Sequence, residues 1–435
     1  SLDDINNFRP ISILSALSKP LEKHIQTSLS FYLNRHSLLH ENQSAFRSQH
    51  SCQTALTKLV ETWLSSCNRS EITGAAIIDF SKVFDLLDHN ILLHKLALYG
   101  FDQSSLLLSK SYLSDRIQNV YLRNDVSVPL TLSYGVPQGS VLGPLLFSLF
   151  INDLPLHFSQ ILCDMFADDT TLHISGSSIV EIQNSLNTAL TELQSWCLSD
   201  RMVVNPSKSA SMLIATRQKR QRLIPSTLNL IYNNTPISQV TSHRILGVII
   251  DHNLTWADHT ENISNRLSSH IYQLNTIKHF IDTGTKLIFY YAYIQPHIDY
   301  CSTLWGNCVE SHLKRIFSLQ KRALKAIYLN FQPNSARLFD SSSIMPLSKR
   351  VTFNNCLFVH KILYGLAPSY LSHIVNRKTS PYVTHKLLLD IPRPEMDLFK
   401  SSFAYSGARE WNNLPLSLRT ISNPLNFKHA LAGYI

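Results

Sequence analysis

Cys163-Asp164-Met165-Phe166-Ala167-Asp168-Asp169-Thr170-Thr171-Leu172-His173-Ile174 is the stretch on which the reading of this chain turns. Two short runs of strand-forming residues flank a paired acid, the pattern of a β-hairpin with carboxylates at its turn. Earlier in the chain, Gly74-Ala-Ala-Ile-Ile-Asp79-Phe80 is short, apolar and partly β-branched, which suits a buried strand that also ends in a carboxylate. Such a carboxylate is costly unless it is paired, hydrogen-bonded or bound to a metal. If the two strands are neighbours, Asp79, Asp168 and Asp169 meet at one edge of a sheet. Acid pairs at turns are most often turn formers and nothing more, so spacing alone leaves both readings open.

Between the acidic strands lies Tyr134-Gly135-Val-Pro137-Gln138-Gly139-Ser140-Val-Leu-Gly143-Pro144, a Gly/Pro-rich loop leading into an apolar helix. Its glycines allow backbone to come close to a ligand, and Gln138 offers both a donor and an acceptor. After the hairpin, apolar residues at 182, 186, 189, 190, 193 and 197 have helical spacing, so an amphipathic helix is expected over Ile182–Cys197. Arg244–Asp251 reads as a further strand, with Gly247 allowing a bend. From about residue 260 the pattern changes to longer helices. In one of them Ile316, Leu319, Ala323 and Ile327 share a face while Lys314, Lys321 and Lys325 gather on another, either a solvated surface or a nucleic-acid contact. The chain therefore divides into a mixed α/β part, residues 1–260, and a mainly helical part, residues 261–435.

Length and composition bound the function. The 435 residues correspond to two or three packing units, and 44% hydrophobic content excludes a mainly disordered chain. The net charge of +9 suggests an anionic partner, most simply a phosphate backbone. Seven cysteines without a CxxC pair argue against a disulfide framework and against a zinc ribbon; Cys301 and Cys308 read as buried thiols. No apolar run reaches the roughly 18 residues of a membrane helix, and no signal peptide opens the chain. The expectation is a soluble intracellular protein, nuclear or cytoplasmic. The first residue is Ser, which suggests a fragment lacking its beginning.

Taken in order, these residues resemble the reverse transcriptase of non-LTR (LINE-type) retrotransposons, most like the Jockey, CR1 and L2 group. Asn7-Phe8-Arg9-Pro10-Ile11-Ser12 is similar to the first fingers motif and Gln43-Ser-Ala-Phe46-Arg47 to the second. Asp79-Phe-Ser-Lys-Val-Phe84-Asp85, ending at Asp88-His89, resembles the palm motif, and Gly135–Ser140 the loop under the incoming nucleotide. Phe166-Ala-Asp168-Asp169 resembles the catalytic hairpin, Asn205-Pro-Ser-Lys208 the following lysine motif, and Ile245-Leu-Gly247-Val the primer grip. Segments around Lys321-Arg322 and Trp411-Asn-Asn match more loosely. The resemblance implies an α+β right-hand polymerase with partial fingers, a palm built on an antiparallel sheet, a helical thumb and a mainly helical C-terminal extension.

It also implies roles. Asp79 and Asp168 would hold two Mg²⁺ ions, replaceable by Mn²⁺, with Asp169 nearby and the Phe80 carbonyl as an extra ligand. Phe84 would exclude a ribose 2′-hydroxyl, Gln138 and Gly139 would belong to the nucleotide floor, and Lys208 would protonate leaving pyrophosphate. Arg9 would grip phosphates from the fingers. Each has a plain alternative: Phe84 as a core aromatic, Arg9, Arg47 and Lys208 as surface or template-backbone charges, His89 as a structural hydrogen-bonding residue, Asp85 and Asp88 as caps. Ala45 stands where the family usually has Gly, and Val83 where Ala is usual. The implied partners are an RNA template, a DNA primer and dNTPs, with no membrane and an open oligomeric state. The competing reading is a catalytically silent nucleic-acid-binding remnant of such a polymerase.

Overall fold

The structure is a computed structural model; it describes residues 11–122, 125–223, 227–329, 338–339, 342, 344–378 and 387–435. Helices α1 (Ser18–Arg35) and α2 (Cys52–Asn68) lead into strand β1 (Ile72–Ile78). Helix α2 starts where it does because Ser51 and Thr54 exchange side-chain and backbone hydrogen bonds in a capping box. Helices α3 (Val83–Leu86), α4 (His89–Leu98) and α5 (Gln103–Leu113) come next. Short strands β2 (Arg116–Gln118), β3 (Tyr121–Leu122), β4 (Asp125–Val126) and β5 (Leu130–Leu132) form two small ribbons, β2 with β5 and β3 with β4. Helix α6 (Gly143–Phe150) precedes the hairpin β6 (Leu162–Phe166) and β7 (Asp169–Gly176), then α7 (Ile179–Asp200) and β8 (Ala210–Ile214). A one-turn helix α8 (Arg217–Gln221) and strands β9 (Leu230–Tyr232), β10 (Thr235–Gln239), β11 (Ser242–Ile245) and β12 (Val248–Asp251) complete the mixed part. Beyond it run α9 (Ala257–Ile277), α10 (Thr283–Phe289), α11 (Gln295–Asp299), α12 (Ser302–Trp305) and α13 (Glu310–Tyr328), with later helices at Leu347–Leu363, Phe403–Asn413 and Pro424–Tyr434.

The main sheet has six strands in the order β6-β7-β1-β8-β10-β9, antiparallel throughout except where β10 meets β8. Because side chains alternate along a strand, each face builds its own core. On one face Ala76, Ile78, Leu172 and Leu213 pack against α6 and α7 through Leu146, Phe147, Leu186 and Leu190. Gly74 lets α7 approach, since a Cβ there would collide with Ile182 and Leu186. On the other face Ala75, Met212 and Ile214 meet Leu56, Val60 and Trp63 of α2 and, across residue 260, Leu267, Ile271, Ile316 and Ala323 of the later helices. A third core gathers Phe403, Trp411 and Phe427 near the C-terminus.

The expected hairpin and the β1 strand form, and the expected helix runs longer, over Ile179–Asp200, because the Ser178 hydroxyl caps it by accepting the Glu181 N–H. Arg244–Asp251 is not the single strand expected. It is the tail of β11, a two-residue turn and β12, paired Ile245 with Val248. Leu246 (φ 46°) and Gly247 (φ 83°) both take positive φ, the requirement of a tight hairpin turn. Leucine is seldom found in that conformation, so an unbroken apolar run conceals it. Of the basic face on α13, Lys314 pairs with Glu310 at 3.1 Å and Lys321 lies over the Phe317 ring. The seven cysteines are free thiols. Among the described residues no helix is long and apolar enough to cross a membrane.

Candidate active site at the sheet edge

The register of the sheet brings the end of β1 and the turn of the β6–β7 hairpin to one edge. The pairing of β1 with β7 ends at Ile78 opposite Thr170, and the β6–β7 hairpin closes at Phe166 opposite Asp169. Asp79 is the next residue after β1, Asp169 is the first residue of β7, and Asp168 lies in the turn between β6 and β7. Asp79 and Asp168 are half-buried and Asp169 is exposed.

The chain leaving β1 is tied down from the far side of the sheet. Asp79 accepts the Asn205 N–H on its carbonyl at 2.8 Å, and Ser81 donates to the Val203 carbonyl at 2.8 Å, so Phe80 pairs with Val204 in a one-residue bridge. The Phe80 ring is buried, edge-on to Trp196. The Asp79 N–H donates to the Ser209 hydroxyl at 3.0 Å, and that hydroxyl donates in turn to the Asn205 carbonyl at 2.9 Å. Asn205 holds this turn by accepting the backbone N–H groups of Ser207 and Lys208 on its side-chain oxygen, which leaves the Lys208 side chain at the surface. Nothing in the sequence singles out Ser209, although it adjoins the lysine motif.

A second group sits beside α3. Gly135 donates to the Leu87 carbonyl at 2.7 Å and Val136 to the Phe84 carbonyl at 2.8 Å, laying the glycine loop along that helix. Gln138 donates from Nε2 to the Asp85 carboxylate at 3.0 Å, and the Phe84 ring packs on Phe147 with centroids 4.7 Å apart. Gly139 takes φ +110°, and Ser12 donates its N–H to the Gln138 carbonyl at 2.8 Å, so the N-terminal segment crosses this loop. His89 bonds the Gly135 carbonyl at 2.8 Å, and Asp88 caps α4 while pairing with Arg201 at 2.7 Å. Arg9 lies outside the described residues. Arg47 spends its Nη1 on the carbonyls of His40 and Gln43, at 2.8 and 3.0 Å.

Below the acids, the strands carry a buried polar chain. Lys58 on α2 pairs with Asp164 at 2.7 Å, Asp164 with His173 at 2.9 Å, and Trp63 donates its indole N–H to His173 Nδ1 at 3.3 Å. The Trp63 donor fixes Nδ1 as the acceptor, so Nε2 of the imidazole carries the proton given to Asp164. Burial pushes the Asp164 carboxyl up, but the hydrogen bonds and charges of His173 and Lys58 outweigh it and hold the group below the usual carboxylate range. On β11, His243 is within reach of the Asp79 charge; burial lowers its pKa and the carboxylate opposes that shift. Neither His173 nor His243 carries a sequence signal that separates it from the other histidines.

Among the described residues no group of three or more His, Cys, Asp and Glu side chains is gathered as a ready-made metal cage. The acids at the sheet edge nevertheless have the right chemistry for Mg²⁺, which takes hard oxygen ligands and commonly uses one or two carboxylates with water and substrate phosphate for the remainder. An all-oxygen donor set of this kind suits that ion better than zinc, which is ordinarily held by Cys and His as well.

A protein-family model described as reverse transcriptase (RNA-dependent DNA polymerase) matches residues 3–250. The chain is 32% identical over 332 residues to the probable RNA-directed DNA polymerase from transposon BS of Drosophila melanogaster, which covers 74% of this chain and 36% of the relative. It is 28% identical over 334 residues to the RNA-directed DNA polymerase from mobile element jockey of the same species, again covering 74% and 36%. The chain thus spans about a third of the length of these relatives. Among solved structures, apo telomerase from Candida tropicalis aligns over 81% of this chain and 59% of its own at 12% identity, with a TM-score of 0.42.

Proposed function

We propose, because the chain belongs to the reverse transcriptase (RNA-dependent DNA polymerase) family in its non-LTR, LINE-type branch, that it copies retrotransposon RNA into DNA. The observation that supports this reading is the pairing of β1 with β7, which ends at Ile78 opposite Thr170 and so leaves Asp79 and the Asp168–Asp169 turn at the same edge of the sheet. Asp79, Asp168 and Asp169 would hold two Mg²⁺ ions, with the Phe80 carbonyl as a further ligand. Bound there, the metal would activate a primer 3′-hydroxyl and stabilise the leaving pyrophosphate, a task Mn²⁺ can also serve.

This chain's own side chains supply the rest. Gln138 and Gly139 form the floor for the incoming dNTP, and the Asp85 bond to Gln138 holds that amide in one orientation. Phe84, braced on Phe147, faces the sugar and rejects a 2′-hydroxyl. Lys208, exposed on its turn, donates a proton to pyrophosphate, and Arg9 grips phosphates from the N-terminal segment. In right-hand terms, the segments before β1 are fingers, the main sheet with α6 and α7 is the palm, and α9 to α13 the thumb. The proposed division into residues 1–260 and 261–435 lies close to the change from strands to helices between β12 and α9, although residue 260 itself falls in the first turn of α9. The net charge of +9 suits sequence-independent, salt-sensitive binding of RNA template and DNA primer inside the cell, in nucleus or cytoplasm.

Primer extension on poly(rA)/oligo(dT) with Mg²⁺ tests the reading. The wild type extends and Asp168→Asn does not, while both bind the heteroduplex. If both bind and neither extends, a catalytically silent nucleic-acid-binding remnant is the better description. Phe84→Val admits ribonucleotides; unchanged sugar discrimination removes Phe84 from the site.

A further inference from the structure

The turn that carries Asp168 is held from outside the hairpin as well as from within. It has two residues between Phe166 and Asp169, and Ala167 adopts φ 57°, a left-handed conformation that favours glycine. A turn of that kind persists when its surroundings over-determine it. Within the hairpin the Thr170 hydroxyl donates to the Asp168 carbonyl at 3.2 Å, and from outside it one side chain grips Ala167. Gln43 is 0% exposed, and its Oε1 accepts the Ala167 N–H at 3.0 Å and the Ala45 N–H at 3.0 Å. Its Nε2 donates to the Ala167 carbonyl at 3.4 Å. The backbone around Gln43 is itself fixed to β6: Ser44 donates to the Met165 carbonyl and Met165 to the Asn42 carbonyl, both at 2.9 Å. Gln43 thus stands on the strand that ends in the turn and closes its amide around the peptide just before Asp168.

We infer that Gln43 is a positioning residue: it sets the direction of the Asp168 carboxylate, and through it the affinity of the site for a divalent cation. The inference rests on the reading of Asp79 and Asp168 as metal ligands. The chemistry selects the residue type. A primary amide can accept two N–H groups and still donate to a carbonyl. Methionine fills the same space but leaves both groups of Ala167 without a partner. Glutamate keeps both accepted bonds and, protonated on its other oxygen as burial favours, can still donate to the Ala167 carbonyl. Groups that orient a metal ligand without touching the metal typically change affinity by about 10–100-fold when removed.

The experiment uses the whole chain and Mn²⁺ as probe, titrated by electron paramagnetic resonance, with amide hydrogen exchange read over residues 163–170. In Gln43→Met, Mn²⁺ binding weakens about tenfold or more and exchange in the turn accelerates, while heteroduplex binding and the far-ultraviolet dichroism stay as in wild type. Gln43→Glu loses less than about threefold, and Gln43→Leu, which also removes the amide, takes the place of Gln43→Met if that variant does not fold. In extension assays the loss falls on kcat and on the Mg²⁺ midpoint, not on the KM for dNTP. Weaker Mn²⁺ binding in Gln43→Met supports the inference even where the wild type fails to extend a primer, a result that would count against the polymerase reading alone. Mn²⁺ binding and turn exchange equal to wild type in Gln43→Met overturn the inference. A tenfold loss in Gln43→Glu, which keeps both accepted bonds, overturns it as well.

Discussion

The Ser209 hydroxyl accepts the backbone N–H of Asp79 at 3.0 Å, so the residue after the lysine motif holds the acid at the end of β1. Ser209→Ala leaves that N–H without its acceptor, a cost of about 1–3 kcal/mol. It also frees the peptide that aims the Asp79 carboxylate. The expected outcome is a lower urea midpoint together with a fall of roughly tenfold in single-nucleotide incorporation. Ser209→Thr, which keeps the hydroxyl, should recover most of both.

Gly135 and Gly365 make a matched pair of substitutions. Both have positive φ, 82° and 68°, so alanine at either costs on the order of 1 kcal/mol in strain. Their surroundings differ. A Cβ on Gly135 would sit 2.8 Å from the carbonyl oxygens of Phe84 and Asp85, whereas one on Gly365 would meet nothing within 4 Å. Gly135→Ala therefore has to lift the loop off α3 and pull Gln138 from Asp85. Steady-state incorporation should show a raised KM for dNTP in Gly135→Ala and wild-type kinetics in Gly365→Ala.

Glu61 on α2 gives the protein a pH dependence with a definite sign. Burial pushes its carboxyl up to about 7 from 4.5, against the opposing hydrogen bonds from the Phe403 and Ala404 N–H groups. Between those two values the folded state holds a proton that the unfolded chain has released, so stability falls as pH rises across that window. At about 1.4 kcal/mol per pH unit, the effect reaches the order of 3 kcal/mol. Glu61→Gln removes the titrating group and should raise the melting temperature relative to wild type at pH 8 and much less at pH 5. An equal difference at both pH values would refute the assignment.

The range of each interaction decides whether the sequence discloses it. The hairpin, β1 and α7 are local patterns, legible in short runs of sequence. The ordered motifs bring Asp79, Asp168, Gln138 and Lys208 together as candidates without any geometry. Contacts that are long-range or conformationally unusual stay hidden. Ser209 and Gln43 act across 130 and 124 residues of chain, on backbone groups that no side-chain pattern reveals. The Leu246-Gly247 turn escapes notice because an apolar run gives no punctuation. Ala45, unusual for its family position, is explained by burial: the side chain is 0% exposed and its N–H goes to Gln43, while the left-handed conformation falls on Phe46 at φ 56°.

The C-terminal segment reaches back to the hairpin. The Tyr370 hydroxyl pairs with the Ser44 hydroxyl at 3.0 Å, and Lys58 lies 5.1 Å over the Tyr370 ring while bonded to Asp164. Asn68 at the end of α2 accepts the N–H groups of Glu395 and Met396 at 2.8 and 3.1 Å. The segments after residue 344 are thus bound to α2 and to Ser44 beside the hairpin, which makes independent unfolding of the two parts costly. Denaturation followed separately by tryptophan fluorescence and far-ultraviolet dichroism should give one coincident transition. Tyr370→Phe should lower its midpoint by an amount corresponding to about 1 kcal/mol, the net worth of one hydrogen bond. Tyr370→Ala, which also uncovers the Lys58–Asp164 pair, should cost more and slow primer extension without changing the KM for dNTP. Two separate transitions in the wild type would show that the C-terminal helices fold on their own and that Tyr370 carries no information to the hairpin.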